Sequence, residues 1–136
     1  MCSKPLIGAL FSRGDSNTHR VWRILINAAH YKRTVTYGEL LSITGLSSFG
    51  MKGLFEALET VGEFERKSDR PWINGLVVGK TGKPGFGFFN WCKKYIPKER
   101  WSKLETEVYE ETLEWCYQFW SDDDTYEKLR NENFLN

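Results

Sequence analysis

Histidine and cysteine are scarce in this chain, and with them most metal and nucleophile chemistry. The two histidines, His19 and His30, stand at no metal-ligand spacing, and no cysteine or carboxylate cluster accompanies them. The three cysteines, Cys2, Cys92 and Cys116, form no CxxC and no secreted framework. An odd count points to reduced thiols and a cytoplasmic protein. Cys92 precedes Lys93 and Lys94, which favour a thiolate, but no histidine follows to serve as its base. Glu110-Glu111 and Asp122–Asp124 read as a solvated helix face and a cap rather than an acid/base pair. No apolar run approaches the roughly 18 residues of a membrane span, and Pro5–Phe11 is too short for a signal peptide. Repeats and low-complexity segments are absent, and Arg13-Gly14-Asp15 is a chance tripeptide in such a chain. The expectation is a protein that is not an enzyme and carries no cofactor.

Aromatic residues, in contrast, are plentiful: they make up 15% of the chain, with 6 Trp and 9 Phe. In 136 residues, one domain by length, they supply large apolar payloads for the core. Charge is balanced overall at +1 but unevenly placed. Residues 1–100 hold 16 Lys or Arg against 8 Asp or Glu, whereas residues 101–136 hold 3 against 10. A basic body therefore carries an acidic C-terminal segment.

The chain is organised around Thr36–Trp91. Thr36-Tyr37-Gly38-Glu39 is a capping box. Leu40, Leu41 and Ile43 form the buried side of the helix it opens, and Gly45 is its stop. Ser47 and Ser48 make a turn into a second helix, where Met51, Leu54, Phe55, Leu58 and Val61 recur at spacings of three and four. Together these are a helix-turn-helix pattern. Glu63–Arg70 mixes charges and reads as a solvated link. Trp72–Val78 and Phe86–Trp91 read as two strands joined by the turn residues Thr81–Gly85, a hairpin whose tip carries Lys80 and Lys83. The fold class expected is α+β, mainly α: a winged helix-turn-helix, three helices plus a β-hairpin wing, with a C-terminal helical extension.

Outside that stretch, Met1–Phe11 reads as an arm or short strand. Val21, Trp22, Ile24, Leu25, Ala28 and Ala29 mark a first helix from the Ser16-Asn17-Thr18 caps to about Tyr31. Pro97 opens a long helix reaching Ser121, with Trp101, Leu104, Val108, Thr112, Trp115 and Phe119 along one stripe. Asp122–Asp124 cap a final short helix with Tyr126 and Leu129. Residues 1–96 form the winged-helix core with its arm, and 97–136 an acidic extension packed on it as part of a single domain. The aromatic stripe either folds back on that core or forms a homodimer.

Two resemblances follow. Val35-Thr36-Tyr37-Gly38-Glu39-Leu40 resembles the start of the helix-turn-helix in DNA-repair alkyltransferase and alkyltransferase-like proteins over about ten residues. Their Pro-Cys-His-Arg motif is absent, so the resemblance implies the DNA-binding helix arrangement and not alkyl transfer. The hairpin Arg70–Phe88, with Trp115–Trp120, resembles small uncharacterised bacterial and phage proteins and implies no activity. Gly50-Met51-Lys52-Gly53 matches the GxxG of KH RNA-binding domains, but helices followed by one hairpin do not make a KH sheet. The function expected is non-catalytic nucleic-acid binding, DNA rather than RNA, in regulation or phage–host conflict. Its contacts are Ser47, Ser48 and Lys52 at the second helix, Arg66, Lys67 and Arg70 in the link, and Lys80 and Lys83 at the hairpin tip. The alternative is a module (immunity, adaptor or anti-defence factor) that binds a partner protein through its acidic, aromatic helical surface.

Overall fold

A computed structural model describes residues 16–44 and 51–131. The arm 1–11, Gly45, Ser47, Ser48 and Gly50 lie outside the described residues. The architecture is α+β dominated by helix. Helix α1 (Ser16–His30) leads to strand β1 (Val35–Thr36), α2 (Tyr37–Thr44) and α3 (Met51–Lys67). A 3-10 turn (Ile73–Leu76) precedes strand β2 (Val77–Val78) and α4 (Phe86–Cys92). A 3-10 segment (Lys98–Lys103) and a π-helical segment (Leu104–Val108) then feed α5 (Tyr109–Ser121), and α6 (Asp123–Asn131) closes the order.

The first helices form as their patterns require. Val21, Trp22, Leu25, Ile26 and Ala29 are fully buried along α1, a stripe at helical spacing. The capping box is complete: Glu39 N–H donates to Thr36 Oγ1 at 3.1 Å, and Thr36 N–H to Glu39 Oε1 at 3.0 Å. In α2, Leu40 is buried but Ile43 faces out, and in α3, Leu54, Leu58 and Val61 are buried while Phe55 is not.

The wing is the main correction. Val77–Val78 pairs in parallel with β1, Val35 opposite Val77 and Thr36 opposite Val78, with α2 and α3 as the crossover. The second expected strand is α4. Its aromatics looked β-prone, but Phe88, Trp91 and Cys92 are buried at spacings of three and four, a helical period. The expected turn Thr81–Gly85 is shifted: the chain turns over Gly79–Lys83, with Gly79 N–H donating to the Lys83 carbonyl at 2.9 Å, and it joins a strand to a helix.

Two cores result. One gathers α1 and α3 with the 3-10 turn, Cys116, Trp120 and Tyr126, so the C-terminal segment folds back onto α1. His30 Nδ1 meets the Trp120 carbonyl at 2.8 Å, and the Tyr126 hydroxyl bonds Asn27 Oδ1. The other packs Phe88, Phe89, Trp91 and Cys92 of α4 against Leu104, Val108 and Tyr109. Asp122 caps α6, its Oδ1 accepting from Asp124 N–H and its Oδ2 from the Thr125 hydroxyl. Among the described residues no helix is long and apolar enough to cross a membrane.

The expected solvated link 63–70 is also corrected. It continues α3 to Lys67, and the chain turns back at Asp69, whose φ is +56°. Glu65 and Arg70 are thereby buried together: Arg70 Nε and Nη2 donate to Glu65 at 2.6 and 2.9 Å, and Trp22 Nε1 adds 2.6 Å.

Candidate functional site

The basic residues singled out from the sequence do not form one surface. Arg70 is only 7% exposed and committed to Glu65, so it is corrected from a nucleic-acid contact to a core ion pair. Arg66 donates to Glu63 Oε1 at 3.0 Å and lies over the Tyr95 ring. Arg66 and Lys67 end α3, about 22 Å of helix from Lys52 at its start. Lys52, Lys80 and Lys83 are exposed. The turn bearing Lys80 and Lys83 returns to the start of α2, where Gly85 N–H donates to the Tyr37 hydroxyl at 2.8 Å. Tyr37 in turn meets Phe55 edge-on, 6.0 Å between centroids, one turn along α3 from Lys52. Arg66 and Lys67 lie at the far end of α3, whereas Lys52 is one turn before Phe55, and Lys80 and Lys83 are on the turn that leads to the region around Tyr37 and Phe55.

That region contains a pocket of about 420 Å³. Tyr37 of α2, Phe55 and Leu58 of α3, and Phe86, Phe88 and Trp91 of α4 make its walls, with Asn74 and Glu59 as polar members. Two of its aromatics are open to solvent: Phe86 is 77% exposed and Phe55 49%. Concave, mostly apolar sites of this size with a few placed polar groups are the usual form of a ligand site.

Local sequence builds the pocket. The capping box fixes the start of α2 and with it Tyr37. Gly75 admits Phe88: a Cβ there would lie 2.7 Å from the ring. Gly62 admits Asn74, since a Cβ would come within 2.4 Å of Nδ2. Trp91 Nε1 donates to Glu63 Oε2 at 2.9 Å, and the Tyr95 hydroxyl bonds the same oxygen. Burial works to raise the Glu63 carboxyl, but hydrogen bonds from Tyr95, Arg66 and Trp91 outweigh it and hold it below the usual carboxylate range. Glu63 is therefore an ionised brace that sets the Trp91 wall.

Arg66 Nε, Asn74 Oδ1 and Trp120 Nε1 are buried without a hydrogen-bond partner among the described residues, and Asn74 is the one of these that lines the cleft. An unsatisfied buried acceptor costs about 1–3 kcal/mol. The sequence did carry a signal: Asn74 is the lone amide in the apolar run Trp72–Val78. The aromatic walls carried none, because Phe86 and Trp91 looked like strand residues.

Other reactive groups lie elsewhere. Burial pushes the Cys92 thiol up to about 12, so Lys93 and Lys94 do not activate it. Burial also raises the Cys116 thiol. Among the described residues, no group of three or more His, Cys, Asp or Glu side chains is placed to hold a metal. No family model matches the chain, and neither the curated proteins nor the solved structures contain a match to it.

Proposed function

We propose that the protein binds nucleic acid without catalysis, DNA rather than RNA, and that the pocket between α2, α3 and α4 receives one unpaired base. The observation that carries this reading is the pocket itself, an aromatic-walled cleft whose lining includes Asn74, a buried residue with no hydrogen-bond partner at Oδ1. A base is flat, offers π-faces to Tyr37, Phe55 and Phe86, and carries N–H donors along the edge that pairing would hide. Lys52, Lys80 and Lys83 are exposed on the segments that lead to Phe55 and Gly85 of the cleft, and their ammonium groups suit phosphates. The α2–α3 pair, which resembles the alkyltransferase-like helix-turn-helix at its first turn, supplies the frame. Arg70 is held in its core ion pair with Glu65, and Arg66 acts on the cleft through Glu63.

Fluorescence anisotropy with labelled single strands, duplex DNA and RNA, at about 50 and 200 mM salt, tests the reading. Binding is expected to fall steeply with salt and to weaken in Asn74→Ala and in the Lys52→Ala/Lys83→Ala double variant. No binding at micromolar protein, or equal binding by both variants, contradicts it.

A second reading is favoured by a separate observation. Trp115 is 43% exposed beside a groove of about 160 Å³ framed by Trp72, Ile96, Val108 and Glu111. That is the acidic, aromatic helical surface through which a partner protein would dock, with Trp115 as the anchor to truncate in a pull-down.

A further inference from the structure

Phe86 belongs to two pockets. Besides the cleft just described, it lines a second pocket of about 280 Å³, together with Phe89, Asn90, Lys93 and Trp101. Phe86, Asn90 and Lys93 recur along the outer side of α4, at spacings of four and three. The Lys93 and Lys98 ammonium groups lie over the Trp101 ring, 5.2 and 5.9 Å from its centroid. Lys83 reaches the same edge, its Nζ 3.4 Å from the Glu105 carbonyl. The Glu105 carboxylate, exposed, is the acidic side chain of that lining. Lys93 and Trp101 thus share a pocket with Phe86, with Lys98 over the Trp101 ring and Lys83 at the Glu105 edge, and the Phe86 ring itself is mostly exposed.

We infer that Phe86 is a wedge between two consecutive bases of a single-stranded nucleic acid. This rests on the reading of the Asn74 pocket as a base site. One base enters that pocket and stacks on one face of Phe86. The next base stacks on the opposite face, above Lys93 and Trp101, and Lys83, Lys93 and Lys98 take the intervening phosphate and those flanking it. A single strand fits because a base whose pairing edge meets Asn74 has no complement, and because aromatic stacking combined with a basic border is how unpaired strands are held. Apolar side chains that part neighbouring bases act in the same way on duplexes, at the added cost of unstacking.

The test uses the full chain and a short single-stranded DNA with two adjacent 2-aminopurines, whose fluorescence rises when the pair is parted. Wild type should bind this strand more tightly than its duplex and raise the fluorescence. Phe86→Ala, which removes the stacking surface of both bases, should bind at least about 5-fold more weakly and give no rise at saturation. Phe86→Trp should keep both. Phe86 is mostly solvent-exposed, so unchanged melting of the variants checks the fold. An unaltered fluorescence rise in Phe86→Ala, or preference for the duplex, overturns the wedge. If Asn74→Ala still weakens binding in that case, only the wedge has failed. No binding by wild type overturns the base-binding reading along with it.

Discussion

Replacing Arg70 with alanine separates its two assignments, surface contact and core ion pair. Glu65 is fully buried and receives three donors, two of them from Arg70 at 2.6 and 2.9 Å. Arg70→Ala leaves that carboxylate with the Trp22 indole alone. Removing one partner of a buried pair costs about 3–5 kcal/mol, against a total of about 7–20 kcal/mol for a chain of this length. With a urea m-value near 2 kcal/mol/M, the midpoint should fall by about 1.5–2.5 M. Replacing both partners, Glu65→Leu with Arg70→Met, should recover most of the loss. The deficit of Arg70→Ala should also depend on pH. Burial raises the Glu65 carboxyl above its ordinary 4.5, while Arg70 and Trp22 oppose it. A carboxyl raised in the fold contributes stability that is present below its unfolded value and lost as pH rises through the folded one. Without Arg70 the carboxyl rises further, so the deficit should be smallest near about pH 4 and grow toward neutrality. A midpoint shift equivalent to less than about 1 kcal/mol, or a deficit flat with pH, would refute the reasoning.

Three further outcomes follow from the packing. Leu54→Ala, at a fully buried position of α3, should lose about 2–5 kcal/mol in the same urea titration. Thr36→Ala removes the acceptor for the Glu39 N–H and should cost about 1 kcal/mol. The backbone and hydroxyl bonds from Thr36 lower the Glu39 carboxyl, so its help to the cap is present above its usual range and fades as pH falls below it. Cys92, with its thiol raised to about 12 by burial, should resist alkylation near neutral pH in the folded protein and react on unfolding; rapid labelling of the native state would contradict this.

The sequence was legible wherever the signal was local. The Thr36–Glu39 box, the α1 stripe and the Asp122 cap all stand as expected, because each is set by residues within one or two turns. The wing was misread through a choice of period: Phe86-Gly87-Phe88-Phe89 has strand composition, yet Phe88, Trp91 and Cys92 keep a helical beat. The actual strand pairing, Val35 with Val77, joins residues far apart in sequence, and nothing in either segment names its partner. The Glu63–Arg70 stretch looked solvated because it is charged. Glu65, however, continues the Leu58-Val61 face at spacings of three and four, and that spacing was the clue to its burial. The pocket is hidden in the sequence for the same reason as the wing: a strand over Phe86–Trp91 leaves it without its α4 wall.

The most direct measurement is a two-dimensional amide NMR titration that follows the Asn74 side-chain NH₂ and the Trp91 indole N–H as single-stranded DNA is added. The account predicts saturable shifts at both, with the Trp22 indole, buried in the core at Glu65, unmoved. Saturable binding that leaves Asn74 and Trp91 in place while shifting Arg66, Lys67 or the α5 amides would contradict it.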